Sequence, residues 1–430
     1  MNLADRRRPP SAPVNGQAAG RIAAGAPAAP RRSTFDALRI PGFPLLWASS
    51  WLWQLSRWGI SFLGAYLAKE LSGSPRLIQL TGVAMWAPLL LGGMVGGVIS
   101  ERFDRRRTVI TQFAVVIPLA VLLGVLRLAG WLELWMLYPF LLVVGVGWVI
   151  DMTSRRAMIY DLVGPDRIDN AMALESVSLS GGLAVGALVG GSVIEALGVG
   201  VAFLVIAAIL AVALAVVVRL PRIPHSHRPT AAQQKGAVRE GFGLLKTNKG
   251  LVSILGVTVF VNFFYFTYTP LVQVIGKGLE VGAFYTGLLA SMTGFGMMVG
   301  STLMARYQPR RRGLLYVAGT LGAAALLPVF AQAQWYALAL PALFLSSLSN
   351  GLFGATQGVL VMTSVSSELR GRALGLLSMA IGALPVGMIV LGEVAEVIGA
   401  PAAITISSLT GAVLTLVWLA RRPEVLKMTT

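Results

Sequence analysis

Arg57 stands inside WASSWLWQLSRWGISFL (47–63), with apolar and aromatic residues on both sides and Gln54 three residues before it. A guanidinium keeps its proton in proteins, so Arg57 cannot itself carry one through a cycle. It can offer a planar fork of N–H donors to an anionic or strongly polar group. In an apolar helix such a charge costs a few kcal/mol and marks a functional position by default. Counting at about 1.5 Å per residue, Trp148, Asn262, Tyr265, Tyr268, Asn350 and Gln357 fall at comparable depth on other apolar segments, with Thr356 beside the last. These residues are candidates to line one cavity with Gln54 and Arg57. The plain alternative is interhelical hydrogen bonding, which Asn and Gln often provide. Trp47, Trp51, Trp53 and Trp58 cluster around Arg57 on several helix faces, as an aromatic cavity wall, as packing or as an interfacial belt.

The carboxylates stand apart from this set. By the same count Asp151 and Glu175 lie near one end of their segments, and Glu195, Glu393 and Glu396 near the other. None comes within about two turns of Arg57. Either Arg57 holds a polar or anionic group of a bound molecule, or a carboxylate sits deeper than counting places it. Glu175 and Glu393 are candidates for carrying a coupled proton, against the simpler reading of both as rim charges. The chain has no cysteine, which excludes disulfides and thiolate metal sites. Its two histidines, His225 and His227, share one polar stretch. No metal set, catalytic cluster or cofactor is expected. No G-x-x-x-x-G-K phosphate loop is present either, which argues against an enzyme and against direct ATP drive.

The elements that must position these residues are membrane helices. Of 430 residues, 56% are hydrophobic and 12% charged, about half the charge of an ordinary soluble domain. The net charge of +17 would suit a nucleic-acid binder, but the cations form short clusters between long apolar runs, so no nucleic-acid partner is expected. About twelve runs are long enough for a bilayer core of roughly 30 Å: 44–68, 77–100, 108–129, 134–152, 171–196 and 201–219, then 251–272, 282–305, 313–332, 336–362, 373–397 and 401–420. They are continuous and do not alternate, which favours helices over barrel strands. About thirty Lys and Arg collect on one side of these spans and about four on the other, placing both termini in the cytoplasm. Arg155 and Arg156 belong to that basic side.

The chain repeats itself at an offset of just over 200 residues. GGVISERFDRRR from Gly96 resembles GSTLMARYQPRR from Gly300, and GALVGGSVIEALG from Gly186 resembles GMIVLGEVAEVIG from Gly387. Gly191 falls over Gly392 and Glu195 over Glu396. The expected organisation is a disordered basic tail (1–35), a six-helix half (36–219), a cytoplasmic linker (220–249), a second six-helix half (250–422) and a short cytoplasmic tail (423–430). Two parallel repeats suggest a site at their interface near mid-membrane.

The loop GVISERFDRRR (97–107) resembles the signature between the second and third helices of the major facilitator superfamily. KELSGSP (69–75), RRAMIYDLVGPDRIDNAMALE (155–175) and SSELRGRALGL (366–376) are similar to its drug-efflux and siderophore-exporter branch. The resemblance covers about 36–422. It implies an all-α fold of twelve helices in two pseudo-symmetric halves, and cavity walls from the first, fourth, seventh and tenth helices. It further implies a latch in which Gly97, Glu101 and Arg102 meet the start of the eleventh helix while Arg105 reaches Asp151. Glu101 replaces the usual Asp. Asp104 stands where the broad pattern has Gly, and is expected to tolerate a left-handed turn. GGLAVGALVGG (181–191) is similar to an antiporter motif, except that Ala187 stands where that motif has Pro; close helix packing is the other reading of its glycines. The resemblance implies a monomeric carrier in the bacterial inner membrane. It would export a small organic molecule, drug- or siderophore-like, by alternating access with proton antiport, among membrane lipids. An importer or a lipid-flipping carrier of the same fold is the alternative.

Overall fold

The computed structural model describes residues 36–102, 104–164, 167–221, 243–307 and 309–429, without the side chains of 91–102, Asp169 and Ser367. The described residues are helical throughout, with no strand. α1 is Phe43–Ser72, α2 Pro75–Arg102, α3 Arg105–Leu128 and α4 Leu134–Val163. The stretch Ile168–Val218 runs on for 51 residues. At about 1.5 Å per residue it would measure some 76 Å, far more than one bilayer crossing. It breaks at Gly198, with φ 83° and ψ 167°, a conformation closed to side chains with a Cβ. We call its parts α5 (168–197) and α6 (199–218). α7 is Lys249–Gly278, α8 Ala283–Tyr307, α9 Arg312–Ala331, α10 Tyr336–Thr363, α11 Arg370–Ile398 and α12 Ala400–Arg421. Gly399, between α11 and α12, repeats the break with φ 85° and ψ 151°, 201 residues after Gly198.

Among the described residues, nine helical stretches are long and apolar enough to cross a membrane. α1 is not among them; its apolar run is interrupted by Gln54 and Arg57. α7 changes its winding in mid-course: Val261–Tyr265 is a π turn and Phe266–Leu271 is 3-10. Pro270 lacks an N–H to donate, so a regular ladder cannot run through this stretch.

The packing has two cores. One joins α1–α6, around Trp53, Leu63, Phe113, Leu141 and Phe203. The other joins α7–α12, around Leu251, Tyr316, Leu343 and Phe353. Because the helices alternate in direction, one end of the bundle carries both described termini and the other, the distal end, carries the breaks at Gly198 and Gly399. The C-terminal stretch Pro423–Lys427 is not a loose tail. It is a 3-10 turn with Val425 fully buried, and the Gly313 N–H donates to the Met428 carbonyl.

The arginine loop after α2 is held differently from expectation. Arg105 pairs with Asp161 on α4, not with Asp151, which lies further into the bundle and is bonded to Arg155. Arg106 donates to the last carbonyls of α6, those of Val217 and Val218. Asp104 is not left-handed: at φ −60° it is the N-cap of α3, its Oδ1 accepting from the Arg107 N–H at 2.8 Å. The side chains of Gly97, Glu101 and Arg102 lie outside the described residues, and so does the expected latch through them, as do the tail 1–35 and 222–242 of the linker.

Candidate functional site

Glycines set the site by letting backbones touch. A Cβ on Gly145 of α4 would run into the Met85 carbonyl of α2, and one on Gly182 of α5 would meet Gln54 Cβ of α1 at 2.5 Å. The first approach brings Trp86 against Trp148, ring centroids 4.9 Å apart at 75°. The second brings α1 onto α5 where Ser50 faces Glu175. The glycines of 181–191 thus do pack helices: Gly181 receives Trp51, Gly186 lies on Leu55 and Trp58, and Gly190 on Leu63.

Arg57 is fully buried. Its guanidinium carbon lies 4.1 Å from the Trp58 ring centre, 4.5 Å from Trp148 and 5.8 Å from Trp86. Three indole faces therefore surround the cation, each attracting it through the ring quadrupole. Arg57 Nε donates to Gln54 Oε1 at 3.4 Å, while both terminal nitrogens have no hydrogen-bond partner. Asp151 is the carboxylate whose charge reaches it. Asp151 is itself buried, and its charge is felt at Arg57 without a hydrogen bond between the two.

Asp151 belongs to a larger cluster. Arg155, one turn on, donates Nε to Asp151 Oδ2 at 3.0 Å and one terminal nitrogen to Oδ1 at 2.6 Å. Its other terminal nitrogen donates to Ser49 Oγ at 2.8 Å and the Leu46 carbonyl at 3.2 Å. Arg155 is 1% exposed, so this member of the basic set is sealed inside the bundle. Glu175 Oε1 accepts from Ser50 Oγ at 2.6 Å, and its Oε2 is shielded from solvent without a partner. Arg155, Arg156 and Asp151 act on it electrostatically. Glu393 does not join: it lies at the distal surface, 58% exposed and 3.7 Å from Arg76. A carboxylate so exposed is solvated by water and needs no buried partner.

The other expected cavity residues gather in the second half, in neutral networks. Tyr265 Oη is 3.0 Å from Ser346 Oγ, and Tyr268 Oη 3.0 Å from Thr293 Oγ1. Gln357 Nε2 donates to Thr258 Oγ1, which is 2.9 Å from Tyr316 Oη. Asn262 Nδ2 donates to the Thr258 carbonyl one turn back, and Thr356 bonds within its own helix. Asn350 is buried with neither amide atom partnered.

Among the described residues these candidates gather in two groups, one in each half. Between the halves lies a cavity of about 50 Å³, lined by residues of α1, α5, α7 and α8 that include Trp58, Gln273 and Thr293. Trp58, stacked on Arg57, lines it; Arg57 does not. That is room for a water or two, where drug-sized ligands need roughly 300–1,000 Å³. The distal end is closed above it, Gln79 Nε2 donating to the Thr267 carbonyl and Gln273 Nε2 to the Phe62 carbonyl across the halves.

Sequence reasoning missed Trp86, Arg155, Ser49 and Ser50. Trp86 could have been sought by depth, since it lies within about one turn of the level of Arg57 when both are counted from the α1–α2 connection. Arg155 had a signal too, its i, i+4 spacing from Asp151.

A family model described as Major Facilitator Superfamily matches residues 46–386. Macrolide efflux protein A of Streptococcus pyogenes is 22% identical over 77% of this chain and 83% of its own. An uncharacterized MFS-type transporter, YfiS of Bacillus subtilis, is 24% identical over 83% of this chain and 88% of its own. Among solved structures, the nucleoside transporter NupG superposes with a TM-score of 0.67 at 15% identity, over 91% of this chain and 100% of that one. A bacterial homolog of the human lysosomal transporter Spinster, inward-facing and unoccupied, gives 0.66 at 16%, over 89% and 95%. At these identities the structural likeness speaks to fold alone. With the family model spanning most of the chain and two helical cores meeting across a central cavity, this multi-pass membrane protein belongs to the Major Facilitator Superfamily of transporters.

Proposed function

We propose that this transporter exports small amphipathic organic molecules from the cytoplasm in exchange for protons, by rocking of its halves (36–219 and 250–422) about the central cavity. The observation that carries the reading is the buried ionic cluster of the first half. Glu175 keeps one oxygen shielded and unpartnered beside two arginines. A carboxylate in that position changes its neighbours' balance of charge whenever it gains or loses a proton. Asp151 and Arg155 connect it to Arg57. Arg57 in turn holds two N–H donor groups ready for an acceptor on a cargo molecule once Trp58 moves aside. The indole walls suit flat or apolar cargo surface, and the hydroxyls and amides around Tyr265, Tyr268, Asn350 and Gln357 supply neutral contacts from the other half. The macrolide efflux relatives favour export and make macrolides the first cargo class to test. The basic residues at the terminal end favour a bacterial inner membrane with both termini cytoplasmic. One chain contains both halves of the site, so a monomer suffices, with the cargo, protons and surrounding lipid as its partners.

Inside-out vesicles test this directly. With an acid lumen, uptake of a radiolabelled macrolide should rise at least several-fold over vesicles lacking the protein. It should collapse when a protonophore is added and disappear in Arg57→Ala. Uptake indifferent to the gradient removes the proton. Release from preloaded vesicles under the same gradient makes the protein an importer.

A further inference from the structure

Two glutamates close the distal end in the same way from opposite halves. α5 ends in Gly191-Ser-Val-Ile-Glu195 and α11 in Gly392-Glu-Val-Ala-Glu396, a G-x-x-x-E segment repeated 201 residues apart (392 − 191 and 396 − 195). Residues i and i+4 share a helix face, so each glycine lies one turn below its glutamate on the face turned to the other half. A Cβ on Gly191 would lie 2.5 Å from the Ala283 carbonyl oxygen, so α8 starts in backbone contact with α5. One turn on, Glu195 Oε2 accepts the N–H of Ala283 at 2.7 Å and of Phe284 at 3.3 Å. These are the first N–H groups of α8, which have no acceptor within their own helix. Gly282 is bare where the carboxylate sits: a Cβ there would lie 2.6 Å from Glu195 Oε2.

The second copy is built alike. A Cβ on Gly392 would lie 3.1 Å from Gln79 Cβ and 3.4 Å from Arg76 Cα of α2. Glu396 Oε2 accepts from Ser74 Oγ at 2.6 Å and from the Arg76 N–H at 3.1 Å. Ser74 Oγ also accepts from the Leu77 N–H, so the hydroxyl that caps α2 is itself held by the carboxylate.

A carboxylate at a helix N-terminus is favoured by the helix dipole and by charge-assisted hydrogen bonds. Here each carboxylate comes from one half and each helix start from the other. Separating the halves at this end breaks both contacts together. We propose that Glu195 and Glu396 form a symmetric pair of gate residues, whose seating on the starts of α8 and α2 sets the balance between distal-closed and distal-open states. The proposal rests on rocking of the halves but on neither the cargo, the proton nor the direction of transport.

The test needs no cargo. The chain has no cysteine of its own, so Glu133→Cys and Gln334→Cys, exposed distal positions in opposite halves, take spin labels cleanly. Pulsed electron resonance then reads the distal distance. Removing one glutamate (E195A or E396A) should raise the ratio of long to short distances roughly three- to tenfold, and removing both should multiply the two effects. Gly282→Ala leaves both carboxylates in the chain and blocks one seat. It should match E195A alone and add nothing to it. Elution as a single symmetric peak confirms that each variant is folded. Unchanged distances in the folded double variant would overturn the proposal, as would a G282A effect that persists in full once Glu195 is gone. A loss of macrolide transport with unchanged distances would likewise count against these gates while leaving the export reading untouched.

Discussion

The two halves share a plan and bury different things. The first encloses Arg57, Asp151 and Arg155 at 1% exposure or less, with Glu175 beside them. The second, among the described residues, has no charged residue buried to that degree. Its interior polar groups are neutral and include Tyr265, Tyr268, Tyr316, Thr258, Ser346, Asn262 and Asn350. Both halves use small residues to bring helices close and both break a helix pair at a left-handed glycine. The difference is therefore one of electrostatics on a common frame. Buried charges are expensive unless paired and hydrogen-bonded; here Asp151 and Arg155 satisfy each other, while Arg57 and Glu175 keep polar atoms without a partner. A neutral network carries no such demand and tolerates sliding against a partner. On the proposed function, charge handling would fall to the first half, and shape and hydrogen-bond complementarity to the second.

The contrast should break most visibly at Asp151. Asp151→Ala strands two buried arginines, and should destabilise the first half by about 3–5 kcal/mol. A large drop in the detergent-solubilised melting temperature would register it. A melting temperature within a degree of the parent would mean that the cluster is not what holds this half. Arg57→Lys keeps the charge and loses the planar face stacked on Trp58 and Trp148. It should cut macrolide uptake by tenfold or more while Asp151 stays paired with Arg155, so stability should barely move. Glu175→Gln sharpens the comparison by chemistry: transport down a cargo gradient should survive, but its dependence on the proton gradient should flatten. Tyr316→Phe in the second half should leave that dependence intact. The smallest effect belongs to Tyr265→Phe, which removes one hydroxyl contact to Ser346 and should cost about 1 kcal/mol in unfolding experiments. A pH-dependent phenotype from either tyrosine would erase the division between the halves.

How much of this was legible beforehand follows from what each signal encodes. The spans, the basic end and the two-fold repeat come from runs of residue types along the chain, and runs survive any packing. The G-x-x-x-E repeat was visible as an alignment of Gly191 with Gly392 and Glu195 with Glu396, yet nothing in it said that each glutamate reaches the other half. Arg155 was counted with the basic side because it follows the apolar core of α4, and it turned out to be sealed against Asp151, Ser49 and Leu46. Arg105 was assigned to Asp151 and instead meets Asp161. Asp104 was read through the φ a glycine would take there, and it caps a helix.

The amino-acid order alone determined that this chain crosses a membrane many times in two related halves, and that one span carries a cation where lipid forbids an idle one. The fold alone decided what that cation meets: three indole rings, Gln54 and a carboxylate's field. The reason is geometric. Counting residues along a helix yields height above the bilayer centre, because the rise per residue is constant. It does not yield the direction a side chain faces once glycine contacts have set how close, and at what angle, two helices lie.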